Sequence, residues 1–224
     1  MNLKADNISK TYFRDTGGAN YFYAVSPVSL EMRSGTVTVL TGRSGSGKTT
    51  LLNMLSGVLE PTEGQVLLDD TDLYSLKDDA LSRLRNEKIG IVPQARSAVD
   101  TLTVMENILL PAVMYGKPAP EEEAGKWMEA FEIDHLAHAM PGELSGGELR
   151  RMAIIRAVVQ HPDILFADEP TGDLDDENTE KVLSALQACA RQQNMAVFMV
   201  SHENDALKYA DRVLRMEKGQ MTEA

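Results

Sequence analysis

One segment combines glycines with a lysine and hydroxyl residues at a spacing that suits phosphate chemistry. Glycine permits backbone angles that turn successive N–H groups inward, and such a loop can hold phosphate oxygens. In that pattern Lys48 is expected to contact β- and γ-phosphates, and the Thr49 hydroxyl to ligate Mg²⁺. Thr50 begins the helical run that follows, whose N-terminus also favours anions. We call residues 42–49 the phosphate loop: Gly42-Arg43-Ser44-Gly45-Ser46-Gly47-Lys48-Thr49.

Two carboxylates follow an apolar run much further along the chain. Asp168 and Glu169 come directly after Ile164-Leu165-Phe166-Ala167. A pair of acidic residues is usually solvated surface charge, but here it ends a strand of buried type. We expect Asp168 to hold Mg²⁺ and Glu169 to act as general base on the attacking water.

A histidine ends the next apolar run. His202 follows Met195-Ala196-Val197-Phe198-Met199-Val200 and Ser201. An isolated histidine after a strand is more often structural than functional. Beside the two carboxylates, His202 is expected to contact the γ-phosphate and orient the water.

These groups need a sheet that brings strand ends together. The runs at 37–40, 164–167 and 195–200 are apolar enough for parallel strands covered by helices on both faces. Ligands of α/β folds bind outside the carboxyl ends of such strands, where the polar residues stand here. The predicted fold class is therefore α/β, a P-loop nucleoside-triphosphatase (NTPase) core with a mostly parallel sheet.

Two regions depart from that pattern. Near residues 1–40, apolar and polar positions partly alternate, and Gly17-Gly18 and Ser34-Gly35 are typical of turns. We expect an antiparallel β subdomain there, joined to the main sheet. Residues 96–160 have helical spacing at 104–114, 120–131 and 148–159, which predicts an inserted α-helical subdomain. Pro111 is expected to break or kink the first of these helices.

Composition limits the classes of function. The chain has 224 residues and a net charge of −12, which disfavours nucleic acid as the main ligand. Its single cysteine, Cys189, lies in a predicted helix and suits a small buried residue in a reducing compartment. No signal segment or membrane-length apolar run is visible, so we expect a cytoplasmic location.

A further motif resembles a known family. Leu144-Ser145-Gly146-Gly147-Glu148 is similar to the signature sequence of the ABC ATPases. The phosphate loop, Gln94, the Asp168-Glu169 pair, Gly172-Asp173-Leu174-Asp175 and His202 complete the family's motifs in the correct order. The resemblance covers about residues 1–220 and implies one ABC ATP-binding domain over residues 1–224. Within the family, the chain most resembles the lipoprotein-release, macrolide-efflux and antimicrobial-peptide-resistance group.

The resemblance implies an ATPase that works as a homodimer. Two copies would enclose two MgATP, each held by one copy's phosphate loop and the other copy's signature. It implies that Ser145, Gly146, Gly147 and Glu148 bind nucleotide, that Gln94 touches both Mg²⁺ and a membrane partner, and that residues 172–175 couple the two sites. Tyr12 is placed like the family's adenine-stacking aromatic, with Phe13, Tyr21 and Tyr23 nearby.

The resemblance leaves three roles open for the ATPase. The first is to power a separate membrane permease from the cytoplasmic face. The second is to drive a membrane complex that transmits force without transport, as in cell division. The third is to serve soluble iron–sulfur assembly. The transported substance and the identity of the partner are not encoded in this chain.

Overall fold

The computed structural model describes residues 2–15, 19–172 and 174–223, and the predicted turn at Gly17-Gly18 lies outside them. Two sheets and six α-helices form within the described residues. The strands are β1 (Asn2–Asp15), β2 (Ala19–Arg33), β3 (Val37–Gly42), β4 (Glu63–Leu68), β5 (Thr71–Asp72), β6 (Ile89–Val92), β7 (Ile164–Asp168), β8 (Ala196–Val200), β9 (Arg212–Glu217) and β10 (Gln220–Glu223). The helices are α1 (Lys48–Leu55), α2 (Asp78–Lys88), α3 (Val104–Met114), α4 (Glu121–Ala130), α5 (Gly146–Val158) and α6 (Asp176–Gln192).

The larger sheet positions the predicted site. Its order is β10-β9-β3-β8-β7-β6, and every pair except β10 with β9 is parallel. The three apolar runs predicted as parallel strands are the adjacent strands β3, β8 and β7, which confirms the prediction. Because these strands run in the same direction, the phosphate loop, Asp168 and His202 emerge at one edge of the sheet.

Both faces of this sheet are buried, as the apolar runs predicted. Leu165 and Ala167 of β7 pack in one cluster with α3, α5 and α6. Ile164 and Phe166 pack in a second cluster with α1 and the N-terminal sheet. The alternation follows from the period of two in a strand, which sends successive side chains to opposite faces. Cys189 lies in the first cluster, where burial raises the pKa of its thiol to about 11.

The N-terminal region is antiparallel, as expected, but it is not joined to the main sheet as predicted. It forms a separate four-stranded sheet of order β2-β1-β4-β5. After α1 the chain returns and adds β4 to the free edge of β1, which no local pattern had indicated. The apolar side of the sheet packs on α1 and the larger sheet instead of pairing with its edge. A backbone bond from Ser26 N–H, in the middle of β2, to the carbonyl of Gly219, in the β9–β10 turn, holds the two sheets together at 2.8 Å.

The helical region contains α3, α4 and α5, close to the predicted spans. Pro111 does not break α3, which continues to Met114. The proline has no N–H to donate to the Asn107 carbonyl four residues earlier, so one helical bond is lost although the helix continues. Its carbonyl accepts a bond from Asn86 Nδ2 at 2.8 Å. Among the described residues, no helix has both the length and the apolar character needed to cross a bilayer.

Candidate functional site

The phosphate loop connects β3 to α1 and depends on glycine for its shape. Gly45 and Gly47 have φ angles of 74° and 106°, in the left-handed region that favours glycine. A Cβ on Gly47 would lie 2.2 Å from the Ala24 carbonyl oxygen, so a side chain cannot fit. Gly47 is also the N-cap of α1 and provides no capping side chain. The first N–H groups of α1 are therefore available to an anion.

Lys48 lies over this loop. Its ammonium donates to the carbonyls of Gly42 and Arg43, at 2.8 and 3.1 Å, and the residue is only 7% exposed. These bonds keep the positive charge at the mouth of the loop. The ammonium is therefore placed where bound phosphates would need it.

The structure brings together two predicted metal ligands. The Thr49 hydroxyl donates to Asp168 Oδ2 at 2.7 Å. Asp168 Oδ1 is buried without a hydrogen-bond partner in the described part of the chain. Burial raises the pKa of Asp168, while the Thr49 bond opposes that shift. A hydroxyl and a carboxylate with an unused oxygen fit Mg²⁺, which prefers oxygen ligands and retains several waters.

Glu169 lies at the centre of the predicted catalytic group. Its Oε2 accepts a bond from Gln94 Nε2 at 2.9 Å, and its Oε1 lies 3.2 Å from His202 Nδ1. Its φ of 50° is unusual for a residue with a side chain, and its N–H is fixed to the Val200 carbonyl at 2.9 Å. Such strain is typical of functional positions, since the surrounding structure must impose it.

A cleft of about 460 Å³ opens above the phosphate loop. Of the predicted residues it is lined by Ser44, Gly45, Gly47, Lys48, Thr49, Thr50, Gln94 and Glu169. Four further lining residues were missed, namely Phe22, Ala24, Lys218 and Gly219; Tyr23, named beside Tyr12 in the sequence, lines the cleft as well.

The missed residues differ in how far the sequence could have revealed them. The aromatic richness of β2 was a usable signal for Phe22. Lys218 and Gly219 form the β9–β10 turn, which the pairing of β9 with β3 brings beside the loop and the bond from Gly219 N–H to the Ser46 carbonyl (2.9 Å) holds there. Tyr12 is not among the lining residues and packs against Phe22, with ring centroids 6.1 Å apart.

The signature segment, residues 144–148, forms a second helix start. Ser145 is the N-cap of α5, and its hydroxyl accepts a bond from the Glu148 N–H at 3.3 Å. The Glu148 carboxylate in turn accepts bonds from the Ser145 N–H and hydroxyl, at 2.7 and 2.6 Å. These bonds lower the pKa of Glu148, the hydroxyl contributing most. None of residues 144–148 is among the residues that line the phosphate-loop cleft.

Comparison with known proteins agrees with this geometry. The sequence profile of the ABC transporter family matches residues 25–172. The chain belongs to the ABC transporter family. It is 34% identical to the lipoprotein-releasing system ATP-binding protein LolD of Buchnera aphidicola, over 98% of this chain and 95% of LolD. The predicted family is thereby confirmed, and the chain is an ABC transporter ATP-binding subunit with ATPase activity.

Solved ABC cassettes share the whole fold. The dimeric structure of MJ0796, an ABC transporter ATP-binding protein of Methanocaldococcus jannaschii, has a TM-score of 0.92 and 31% identity, covering 99% of this chain and 98% of that one. A second dimeric structure, a post-hydrolysis state of MJ0796 bound to ADP and Pi, has a TM-score of 0.91 with the same identity and coverage. The α/β fold class is confirmed.

Other ABC motifs occupy defined positions. The segment predicted to couple two sites contains Asp173, which lies outside the described residues. Its neighbour Gly172 donates from its N–H to the Glu169 carbonyl at 3.1 Å, and Asp175 is the N-cap of α6. This ABC segment therefore begins in direct contact with the predicted base.

The sequence reasoning gave no role to Arg150. This residue of α5 is 9% exposed and donates to the carbonyls of Pro93 and Gln94, at 2.7 and 2.9 Å. The signature helix of this ABC ATPase thus contacts the loop that carries Gln94.

Proposed function

We propose that this ATPase powers a separate membrane permease and works as a homodimer enclosing two MgATP. The observation that carries the dimer is the separation of two phosphate-type helix starts. Residues 144–148 do not line the described cleft over the phosphate loop, so they do not complete the nucleotide site of their own chain. Ser145, Gly146 and Gly147 are then free to complete the site of a second copy, with Glu148 holding the helix start. The dimers of MJ0796 support this arrangement.

The residues of the cleft have distinct roles in hydrolysis. The phosphate loop and Lys48 hold the β- and γ-phosphates. Glu169 takes a proton from water as the water oxygen bonds to the γ-phosphorus, and the bond from that phosphorus to the β,γ-bridging oxygen breaks to leave ADP and phosphate. His202, fixed against Glu169, orients that water. Tyr12 is proposed to stack on adenine from the hairpin edge, beside Phe22.

A magnesium ion would be held by Thr49, Asp168 and Gln94. The ion neutralises charge on the β- and γ-phosphates when bound. The chain's part is to align Asp168, whose Oδ2 accepts the 2.7 Å bond from Thr49; that bond also opposes the rise in pKa that burial causes. We also propose that residues 1–224 form one domain, as predicted. One apolar cluster contains both residues of the larger sheet and residues of α3, α4 and α5, which supports this.

Replacing the base tests this proposal. Glu169→Gln keeps the shape of the side chain, so ATP binding should persist while turnover falls by about 100-fold or more. ATP-bound dimers should accumulate in size-exclusion chromatography. Glu203→Gln is the matched control, because Glu203 follows β8 as Glu169 follows the adjacent strand β7, but it accepts a bond from Thr171 instead. Wild-type turnover in Glu169→Gln would disprove the assignment.

A transport assay separates the three roles. A permease role predicts that the chain co-purifies with a detergent-extracted membrane protein and that the pair moves a solute in vesicles. A relative named as the ATP-binding protein of a lipoprotein-releasing system favours the transport role. ATPase stimulation without movement of any solute would favour a force-transmitting complex. Purification with soluble partners would favour iron–sulfur assembly.

A further inference from the structure

The loop that carries Gln94 has little regular structure of its own to hold it. Residues 93–97 follow β6 and contain neither helix nor strand. A cleft of about 190 Å³ separates much of this loop from α5, with Gln94 and Arg150 among its lining residues. The loop therefore does not rest on α5 by close packing alone. Gln94 is itself exposed, although its amide reaches Glu169.

Arg150 bridges this gap with two hydrogen bonds. One guanidinium nitrogen donates to the Pro93 carbonyl at 2.7 Å and the other to the Gln94 carbonyl at 2.9 Å. Because the guanidinium is planar and rigid, two bonds from it to successive carbonyls fix both the position and the orientation of the Pro93–Gln94 backbone. The geometry points to Arg150 as a positioning residue that sets Gln94 against Glu169, and so links the signature helix to the hydrolytic carboxylate.

The direction of this link follows from where α5 begins. Arg150 lies in the second turn of the helix whose start, Ser145, is proposed to meet the nucleotide of the other copy. A shift of α5 on nucleotide contact would move the two carbonyls with it. The inference therefore rests on the proposed function, because it takes Glu169 as the base and Ser145 as the distant contact.

Kinetics of Arg150→Met test the inference. Methionine keeps much of the apolar stem but donates no hydrogen bond. We expect kcat to fall about 10- to 100-fold, since small displacements of catalytic groups have effects of that size. KM for ATP should stay within about twofold, because the phosphate loop is untouched. Arg150→Lys, which can reach one carbonyl but not both in the same geometry, should give an intermediate kcat.

A double-mutant cycle with Gln94→Ala distinguishes positioning from a general loss of structure. If Arg150 acts through Gln94, the double variant should have a kcat within about threefold of the more severe single variant. Multiplied effects would mean that Arg150 acts by another route and would overturn the inference. Wild-type kcat in both Arg150→Met and Arg150→Lys would overturn it as well.

Arg191→Met is the matched control for stability. Arg191 also donates to a loop carbonyl, that of Gly35 at 2.6 Å, but at the opposite end of β3 from the phosphate loop. Its loss should lower Tm while kcat stays within about twofold, whereas an equal fall in kcat would overturn the inference.

Glu169→Gln is measured in parallel: if it is inactive and the Arg150 variants have wild-type kcat, only this inference fails. If Glu169→Gln hydrolyses ATP at the wild-type rate, the proposed function itself is wrong, whatever the Arg150 variants show.

Discussion

The chain contains two glycine-rich helix starts, and they are finished differently. At the phosphate loop, α1 begins after Gly47 with no capping side chain. At the signature segment, Ser145 and Glu148 cap α5 with reciprocal bonds. The first leaves N–H groups for an incoming phosphate, whereas the second has already satisfied part of its own. The phosphate loop can therefore bind an anion by itself, whereas the signature is proposed to meet a nucleotide that the other copy already holds.

Nearby groups reinforce the difference. Ser46 Oγ and Asp168 Oδ1, on or beside the phosphate loop, are buried without hydrogen-bond partners in the described residues. The Ser145 hydroxyl, by contrast, already donates to the Glu148 carboxylate at 2.6 Å. Unused buried polar atoms cost stability unless a ligand satisfies them. The unpaired atoms at the phosphate loop therefore lower the stability of the free protein, whereas the capping bonds of the signature segment contribute to it.

The largest expected effect comes from removing the positive charge of Lys48. Lys48→Ala should weaken ATP binding by the monomer about 100-fold, because a charge-assisted bond contributes roughly 1.5–3 kcal/mol. Ser145→Ala should leave monomer affinity within about twofold. Titration with a fluorescent ATP analogue at low protein concentration measures both. Equal losses in the two variants would remove the distinction between the two helix starts.

A steric substitution sharpens the comparison within the loop. Gly47→Ala should lose about 2 kcal/mol more of unfolding free energy than Gly45→Ala. Both glycines have positive φ, but only at Gly47 does an added Cβ meet backbone, 2.2 Å from the Ala24 oxygen. At Gly45 nothing lies within 4 Å. Urea unfolding checks this, and similar losses at both positions would contradict the close approach.

Helix α3 begins with the same kind of cap as the signature segment. Comparing the two caps separates the structural role of Ser145 from its proposed contact with nucleotide. Thr103 and Glu106 form the same reciprocal cap at the start of α3. Thr103→Ala and Ser145→Ala should each lower the unfolding free energy by about 1 kcal/mol. Only Ser145→Ala should also lower turnover, by about tenfold, because only that hydroxyl is proposed to meet nucleotide. A comparable fall in kcat for Thr103→Ala would assign the signature a merely structural role.

The smallest effect is a dependence on pH. Bonds from Ser145 hold the pKa of the Glu148 carboxyl below its usual 4.5. Because the folded pKa lies below the unfolded one, the stabilisation is fully present above the unfolded pKa and is lost as pH falls through the folded pKa. The stability difference between wild type and Glu148→Gln, a few tenths of a kcal/mol, should therefore shrink between about pH 6 and pH 3. A difference independent of pH, in urea unfolding, would contradict the capping bonds.

Most of the catalytic group could be predicted from local patterns. An apolar run followed by a polar residue identifies a strand end, and parallel strands place their ends at one edge of the sheet. The phosphate loop, Asp168, Glu169 and His202 do lie at the ends of the strands that the sequence predicts. Local patterns did not predict that Lys218 and Gly219 line the cleft, because these residues belong to no motif and lie in the β9–β10 turn.

Sequence alone determined the chemistry, because a loop's phosphate-binding shape and a helix cap depend on residues a few positions apart. Tertiary structure alone decided the pairings between distant segments. It separated the N-terminal sheet from the larger one, set Phe22 and Tyr23 on the cleft, and carried Arg150 to the carbonyl of Gln94. Such contacts depend on how whole helices and sheets pack, and no short stretch of sequence encodes that packing.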